Sequence, residues 1–181
     1  MLDSGRNKGY TIEWEELGTV PIKRKRNIMK PTLTQRIAQV FGLGRVPPAL
    51  RRQLEREAPL LYVAEGIAET VTLKDFRAPG VRCGWRKMGF VGFVIVTEKR
   101  LVAKARSYHH VDLDLTFADP RFQQITLARE DDVFSMRFDA SLKGSGYSGQ
   151  VEVCLHLPHQ DQLVAALGKV GVRQDVIKGV R

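Results

Sequence analysis

The sequence predicts a mainly β domain of about seven antiparallel strands, closed by one C-terminal helix and preceded by a short basic helical arm. Three stretches carry that prediction. From Gly89 to Arg106, an apolar run ending at Val96 meets the polar break Thr97-Glu98-Lys99. Leu101, Ala103 and Ala105 then alternate with Val102, Lys104 and Arg106. A buried strand, a tight turn and a half-buried strand make a β-hairpin. Downstream, Val111, Leu113 and Leu115 alternate with Asp112 and Asp114, and Val151, Val153, Leu155 and Leu157 alternate with Glu152, Cys154 and His156. Such period-two patterns bury one face of a sheet. After Pro158, where a missing N–H is harmless at a helix start, Leu163, Ala166, Leu167 and Val170 line one stripe and Gly171 ends it.

The elements follow in order. Residues 1–31 show no sustained period. They hold Tyr10, Ile12, Trp14 and Leu17 and the compact run Lys23-Arg24-Lys25-Arg26, and they are expected to form a flexible basic segment. Residues 32–58 are expected to be a helical arm. Thr32 or Thr34 caps a first helix, LTQRIAQVFG, with Leu33, Ile37, Val40 and Phe41 on one stripe. Pro48 opens a second helix to about Glu57, with Leu50 and Leu54 on one face among Arg51, Arg52 and Arg56. Short helices need tertiary burial, so their stripes are expected to pack on the β domain at residues 59–171.

That domain begins with a long strand from Leu60 to Phe76, carrying Val63, Ile67, Val71 and Leu73 between Glu65, Glu69, Thr70 and Thr72. Gly66 within it marks a bulge. Arg77 to Lys87, RAPGVRCGWRK, reads as a loop from Pro79-Gly80 and Gly84. Further strands are expected at Gln124–Arg129, with Ile125 and Leu127 on one face, and at Val133–Phe138, with Phe134, Met136 and Phe138 facing the core. A Gly/Ser loop spans 141–150, and residues 172–181 read as a tail without a frame.

Composition bounds the function. With 29 basic and 20 acidic residues, the chain carries +9 and favours polyanionic partners. Residues 1–60 hold 12 basic against 6 acidic side chains. Between Arg77 and Arg106, eight cations face Glu98 alone, whereas from His109 to Asp139 acids predominate. The N-terminus lacks a basic start followed by an apolar run, and no window is long and apolar enough to span a bilayer, so a cytoplasmic protein is expected. Cys83 and Cys154 do not suggest a disulfide scaffold.

VTEKRLVAKA is similar to the turn between the second and third strands of bacterial pleckstrin-homology-like and GRAM-like domains. SGQVEVCLHLPHQDQLVAAL is similar to their last strand running into the capping helix. The span from about Leu60 to Gly171 also resembles a group of uncharacterised bacterial proteins with such a domain. The resemblance implies a strongly bent sheet, a partly open barrel, with the helix plugging one end. The fold hosts lipid, peptide and protein binders alike. Its phosphoinositide-binding members use a Lys late in the first strand and a Lys/Arg-x-Arg pair beginning the second. Lys74 is suitably placed, with Arg82, Arg86 and Lys87 in the loop and the next strand's start. The Arg-x-Arg step itself is absent.

Lys74, Arg77, Arg82, Arg86 and Lys87, with Trp85 among them, are therefore the candidate site for anionic headgroups or a protein partner at the inner membrane surface. Other constellations carry less chemistry. Cys154, His156, His159 and Asp161 fall short of three or four convergent metal ligands, and His109 and His110 point to opposite sides if in a strand. Glu130-Asp131-Asp132 sits where a hairpin turn is expected. No nucleophile elbow, phosphate-cradling loop or zinc-protease motif is present, so a binding module without cofactor is expected, and not an enzyme. The alternative partner is nucleic acid, through the basic N-terminal region and its helices, although no helix-turn-helix frame accompanies them.

Overall fold

The computed structural model describes residues 43–105, 108–130, 132–173 and 177. Helix α1 (Pro48–Glu57) leads into strands β1 (Leu60–Ala78), β2 (Val81–Thr97), β3 (Arg100–Ala105), β4 (Leu113–Thr116), β5 (Thr126–Glu130), β6 (Val133–Asp139) and β7 (Ser148–His156). Helix α2 (Gln160–Lys169) follows. The strands form one antiparallel sheet in the order β4-β3-β2-β1-β7-β6-β5, curled into a half-barrel. The expected first helix at 33–42 and the basic run Lys23–Arg26 lie outside the described residues.

The predicted alternations fill the half-barrel. Val71 and Leu73 of β1, Val94 and Val96 of β2, Leu101 and Ala103 of β3, Phe134 and Met136 of β6 and Val153 and Leu155 of β7 share one buried cluster. Leu163, Val164, Ala166 and Leu167 of α2 join the same cluster, so the helix covers the interior. Helix α2 starts at Gln160 because Pro158 and His159 form a turn first. It ends at Gly171, whose φ of +84° suits glycine, while the Val172 amide donates to the Leu167 carbonyl at 3.0 Å. Within the segment expected as a tail, the Ile177 side chain is buried in the interior cluster.

A second, smaller cluster lies outside the sheet, where Leu54 and Val46 cover Phe93, Ile95 and Val102, with Leu50, Leu60 and Val63 at its rim. The stripe of α1 thus packs on the β domain as expected. This cover explains why β2 reads as a continuous apolar run, because Val91–Thr97 is buried from both sides. It also buries Val102, which the sequence placed on a wetter face. Arg100 ties the packing down through ion pairs to Glu57 at 2.8 Å and Asp114 at 3.3 Å. The expected tight turn after β2 is organised by the Thr97 hydroxyl, which accepts from the amides of Lys99 and Arg100.

Gly66 is the expected bulge. Its φ is +63°, and the β1–β2 register shifts between Glu65 and Ile67. Its amide donates to the Gly44 carbonyl at 3.0 Å, and the Glu65 carboxylate accepts from the Val46 amide at 2.9 Å. The shift sends Val63 to the outer cluster and Ile67 to the interior. It also places Glu69, one of the polar residues interleaved along the strand, in the core at 1% exposure. Burial first, and then the Asp112 carboxylate, push its carboxyl up to about 8.

Two strands start later than expected: β5 begins at Thr126, because Pro120–Gln124 form a 3-10 turn, and β4 is shortened likewise. Residues His109–Val111 form a 3-10 turn, so β4 begins at Leu113, but Val111, Leu113 and Leu115 are all buried. Glu130 pairs with Val133, which places the acidic run in a hairpin turn as expected; Asp131 lies outside the described residues.

Two outcomes follow. A Cβ at Gly92 would press on both the Glu69 carboxylate and the Lys104 carbonyl, so Gly92→Ala should cost about 2–4 kcal/mol in urea denaturation. The folded state holds the Glu69 proton more tightly than the unfolded chain, whose carboxyl titrates near 4.5. Its contribution is therefore most favourable below that value and is lost as pH rises towards about 8. Glu69→Gln should flatten this fall in the denaturation midpoint, and an unchanged pH profile would contradict it.

Candidate functional site

The segment 77–87 is not a loop. Strands β1 and β2 continue their ladder to Ala78↔Val81, leaving a two-residue turn at Pro79-Gly80, with Gly80 at φ +74°. Local Gly, Pro and charge signals were outweighed by cross-strand pairing with β1 and by β7 on its far side, where Ser148 pairs with Arg77. From Gly92 to Val81, β2 runs about 36 Å at the usual rise per residue.

The six candidate residues all sit on this hairpin arm. Cross-strand partners share a face. Lys74 pairs with Trp85, Arg77 with Arg82 and Thr72 with Lys87. Leu73, Phe76 and Ala78 are buried towards the core, and Val81, Cys83 and Met88 pack against it. Lys74, Arg77, Arg82, Trp85 and Lys87 therefore occupy the opposite, exterior face together. Arg86 does not join them, because it pairs with Leu73 and takes the other side. The expected convergence of all six thus holds for five.

Strict alternation would have split even these five. It is broken at Asp75, whose φ is +49°, and the β1–β7 register shifts between Lys74 and Arg77. Gly149, at φ +95°, lies against this point so closely that a Cβ would strike the Asp75 and Lys74 carbonyls. The break changes the side presented by β1, so that Leu73 and Phe76 both face inward while Lys74 and Arg77 both face outward. On β2 the change falls at Gly84, between Cys83 and Trp85.

The exterior face of the arm is wet, cationic and aromatic. Trp85 is 66% exposed, the one large apolar side chain so exposed among the described residues. Isolated exposed apolar residues are ordinary, but this one is ringed by cations. No described residue forms an ion pair or side-chain hydrogen bond with Lys74, Arg77, Arg82, Arg86 or Lys87. Along the sheet the row Lys87, Thr72, Glu152, Arg137 contains a carboxylate, yet Glu152 is bound to Arg137 at 2.7 Å. In the row Trp85, Lys74, Gln150, Asp139, the Ser141 side chain and then its amide, which donates to the Asp139 carboxylate at 2.8 Å, hold that carboxyl below the usual range.

The inner side of the arm's base is braced by rings. Phe90 stacks on Tyr108 at 5.5 Å, Tyr108 meets His110 edge-on at 5.4 Å, and the Tyr147 hydroxyl lies 3.4 Å from His110 Nδ1. Burial raises the Tyr108 phenol above its ordinary value, the nearby Cys83 adds to this, and Arg86 opposes it. Nothing in the sequence singled out this chain of rings, whose members lie far apart along it.

The other sequence candidates come apart. Asp161 pairs with Arg129 at 2.6 Å and His156 lies 3.4 Å from the Thr70 hydroxyl. Among the described residues no group of three or more His, Cys, Asp or Glu could hold a metal ion. Cys83 and Cys154 are not joined in a disulfide. On α1, Arg51 pairs with Glu55 and Arg52 bonds the Pro48 carbonyl, which leaves Arg56 as its uncommitted arginine among the described contacts. No helix among the described residues is long and apolar enough to cross a membrane. A cavity of about 510 Å³ lies between Arg45–Leu50 and the β3 end, lined by Phe93, Lys104, His109 and Asp112.

Compared with family models, curated proteins and solved structures, the chain matches none.

Proposed function

We propose that this chain is a non-enzymatic binding module of the pleckstrin-homology-like type, which docks reversibly on anionic phospholipid surfaces through the exterior face of the β1–β2 arm. The observation that carries this reading is the position of Trp85, two-thirds exposed in the middle of four cations that have no carboxylate partner among the described residues. Tryptophan settles at the headgroup level of a bilayer, where its ring is apolar and its N–H stays wet. Each cation near an anionic leaflet contributes about 1 kcal/mol, so Lys74, Arg77, Arg82 and Lys87 together support a weak, salt-sensitive attachment.

The order of elements and the closing helix support the same reading, while the chemistry of the arm decides the ligand class. Unpaired Lys and Arg attract phosphate oxygens at no cost of breaking internal ion pairs. The ladder of β1 with both β2 and β7 holds the five side chains on one rigid surface, so little ordering entropy opposes contact.

Co-sedimentation with phosphatidylserine-containing vesicles, against pure phosphatidylcholine, tests it. The protein should pellet with the anionic vesicles only, and less as salt rises. Lys74→Glu with Arg77→Glu should lower the partition at least about tenfold, and Trp85→Ala should lower it with little change in stability. Equal pelleting of the charge-reversed protein would overturn the assignment of the arm.

A further inference from the structure

The arm has an edge as well as a face. Strand β1 is covered on both sides, by β2 along its whole length and by β7 from Ala68 to Arg77. Strand β2 is not. Its second neighbour, β3, pairs only with Gly92–Val96. The chain then leaves towards Tyr108, which stacks on Phe90. Among the described residues, nothing pairs with the outer edge of β2 from Val81 to Gly89, a run of about 26 Å with backbone groups at alternate residues pointing away from the sheet.

An open edge of this length is a template for another strand. Its side chains decide which. The stretch Val81–Gly89 carries Arg82, Arg86 and Lys87 and no acid. A second copy pairing antiparallel about the Gly84–Trp85 bond would set Arg82 against Lys87 on the same face, which like-charge repulsion disfavours. An acidic strand meets the reverse situation. Arg82 and Lys87 project from one face of the arm and Arg86 from the other, so carboxylates on either side of an added strand find a cation. Gly84 and Gly89 put no side chain in the way of an incoming one.

We propose that the open edge of β2 between Val81 and Gly89 binds an extended acidic segment of a partner protein by strand addition. Main-chain hydrogen bonds supply the affinity, and Arg82, Arg86 and Lys87 select acidic side chains over neutral or basic ones. This site is the rim of the arm, whereas the membrane-facing side chains of β1 lie one strand away.

The test uses the full chain and a fluorescein-labelled peptide of about ten residues, glutamate alternating with valine and threonine, read by anisotropy. Two control peptides replace every glutamate by lysine, or every valine by proline, which keeps the charge but cannot form a ladder. The acidic strand-forming peptide should bind with a Kd on the order of 10 µM, and both controls at least about tenfold more weakly. Amides within Val81–Gly89 should gain hydrogen-exchange protection on saturation. Arg86→Glu should weaken the peptide about fivefold or more, whereas Lys74→Glu, on β1, should change it less than about twofold while weakening vesicle binding. Loss of vesicle binding with the peptide retained leaves the edge assignment standing, so the two readings fail separately. Equal binding of the proline peptide, or no protection within Val81–Gly89, would overturn it.

Discussion

Strand β1 changes the side it shows to the core twice, and both the packing and the candidate site depend on those two breaks. At Gly66 the backbone enters a conformation that costs glycine little, and the freed amide is taken up by the Gly44 carbonyl. At Asp75 a non-glycine residue takes a positive φ, which is uncommon and is held there by the close passage of Gly149. Between the breaks β1 faces the half-barrel interior with Ile67, Val71 and Leu73. Before the first it faces α1 with Val63, and beyond the second it keeps Phe76 and Ala78 inside while Arg77 stays out.

The two breaks divide the labour of one nineteen-residue strand. The first lets the outer cluster form, so that α1 buries Leu54 over Phe93, Ile95 and Val102. That cover removes apolar surface from water, which is the dominant favourable term in folding, and it leaves β2 dry on both sides where it enters the arm. The second break aligns Arg77 and Arg82 with Lys74, Trp85 and Lys87. The arm is therefore rooted in the core at one end and cationic at the other, with the stack from Phe90 through Tyr108 and His110 to Tyr147 bracing the junction.

Much of the fold was legible because sheets bury one face. The alternations at β5, β6 and β7, the Gly66 bulge, the turn at Thr97 and the α2 stripe appear where period and turn chemistry put them. What was not legible depends on contacts between distant parts of the chain. Glu69 was legible only as one of the polar residues interleaved along the strand, and its burial, in phase with Ile67, Val71 and Leu73, depends on what packs over the interior face. The segment Arg77–Lys87 was read as a loop because Pro79-Gly80 and Gly84 are loop signals, while the pairing that makes it a strand lies across in β1. The candidate site was named residue by residue, but its division into a five-residue face and Arg86 behind it required the register. Asp75 and Gly149, which create that face, carried no signal beyond an ordinary turn composition.

Emission from Trp85 on contact with anionic vesicles is the measurement closest to the central claim, that the arm presents one cationic, aromatic surface to phosphate headgroups. In a Trp14→Phe protein, which leaves Trp85 as the chain's single tryptophan, the account predicts a blue shift and protection from an aqueous quencher on phosphatidylserine vesicles, both reversed by salt. Unchanged emission from a protein that still pellets with those vesicles would show that another surface makes the contact.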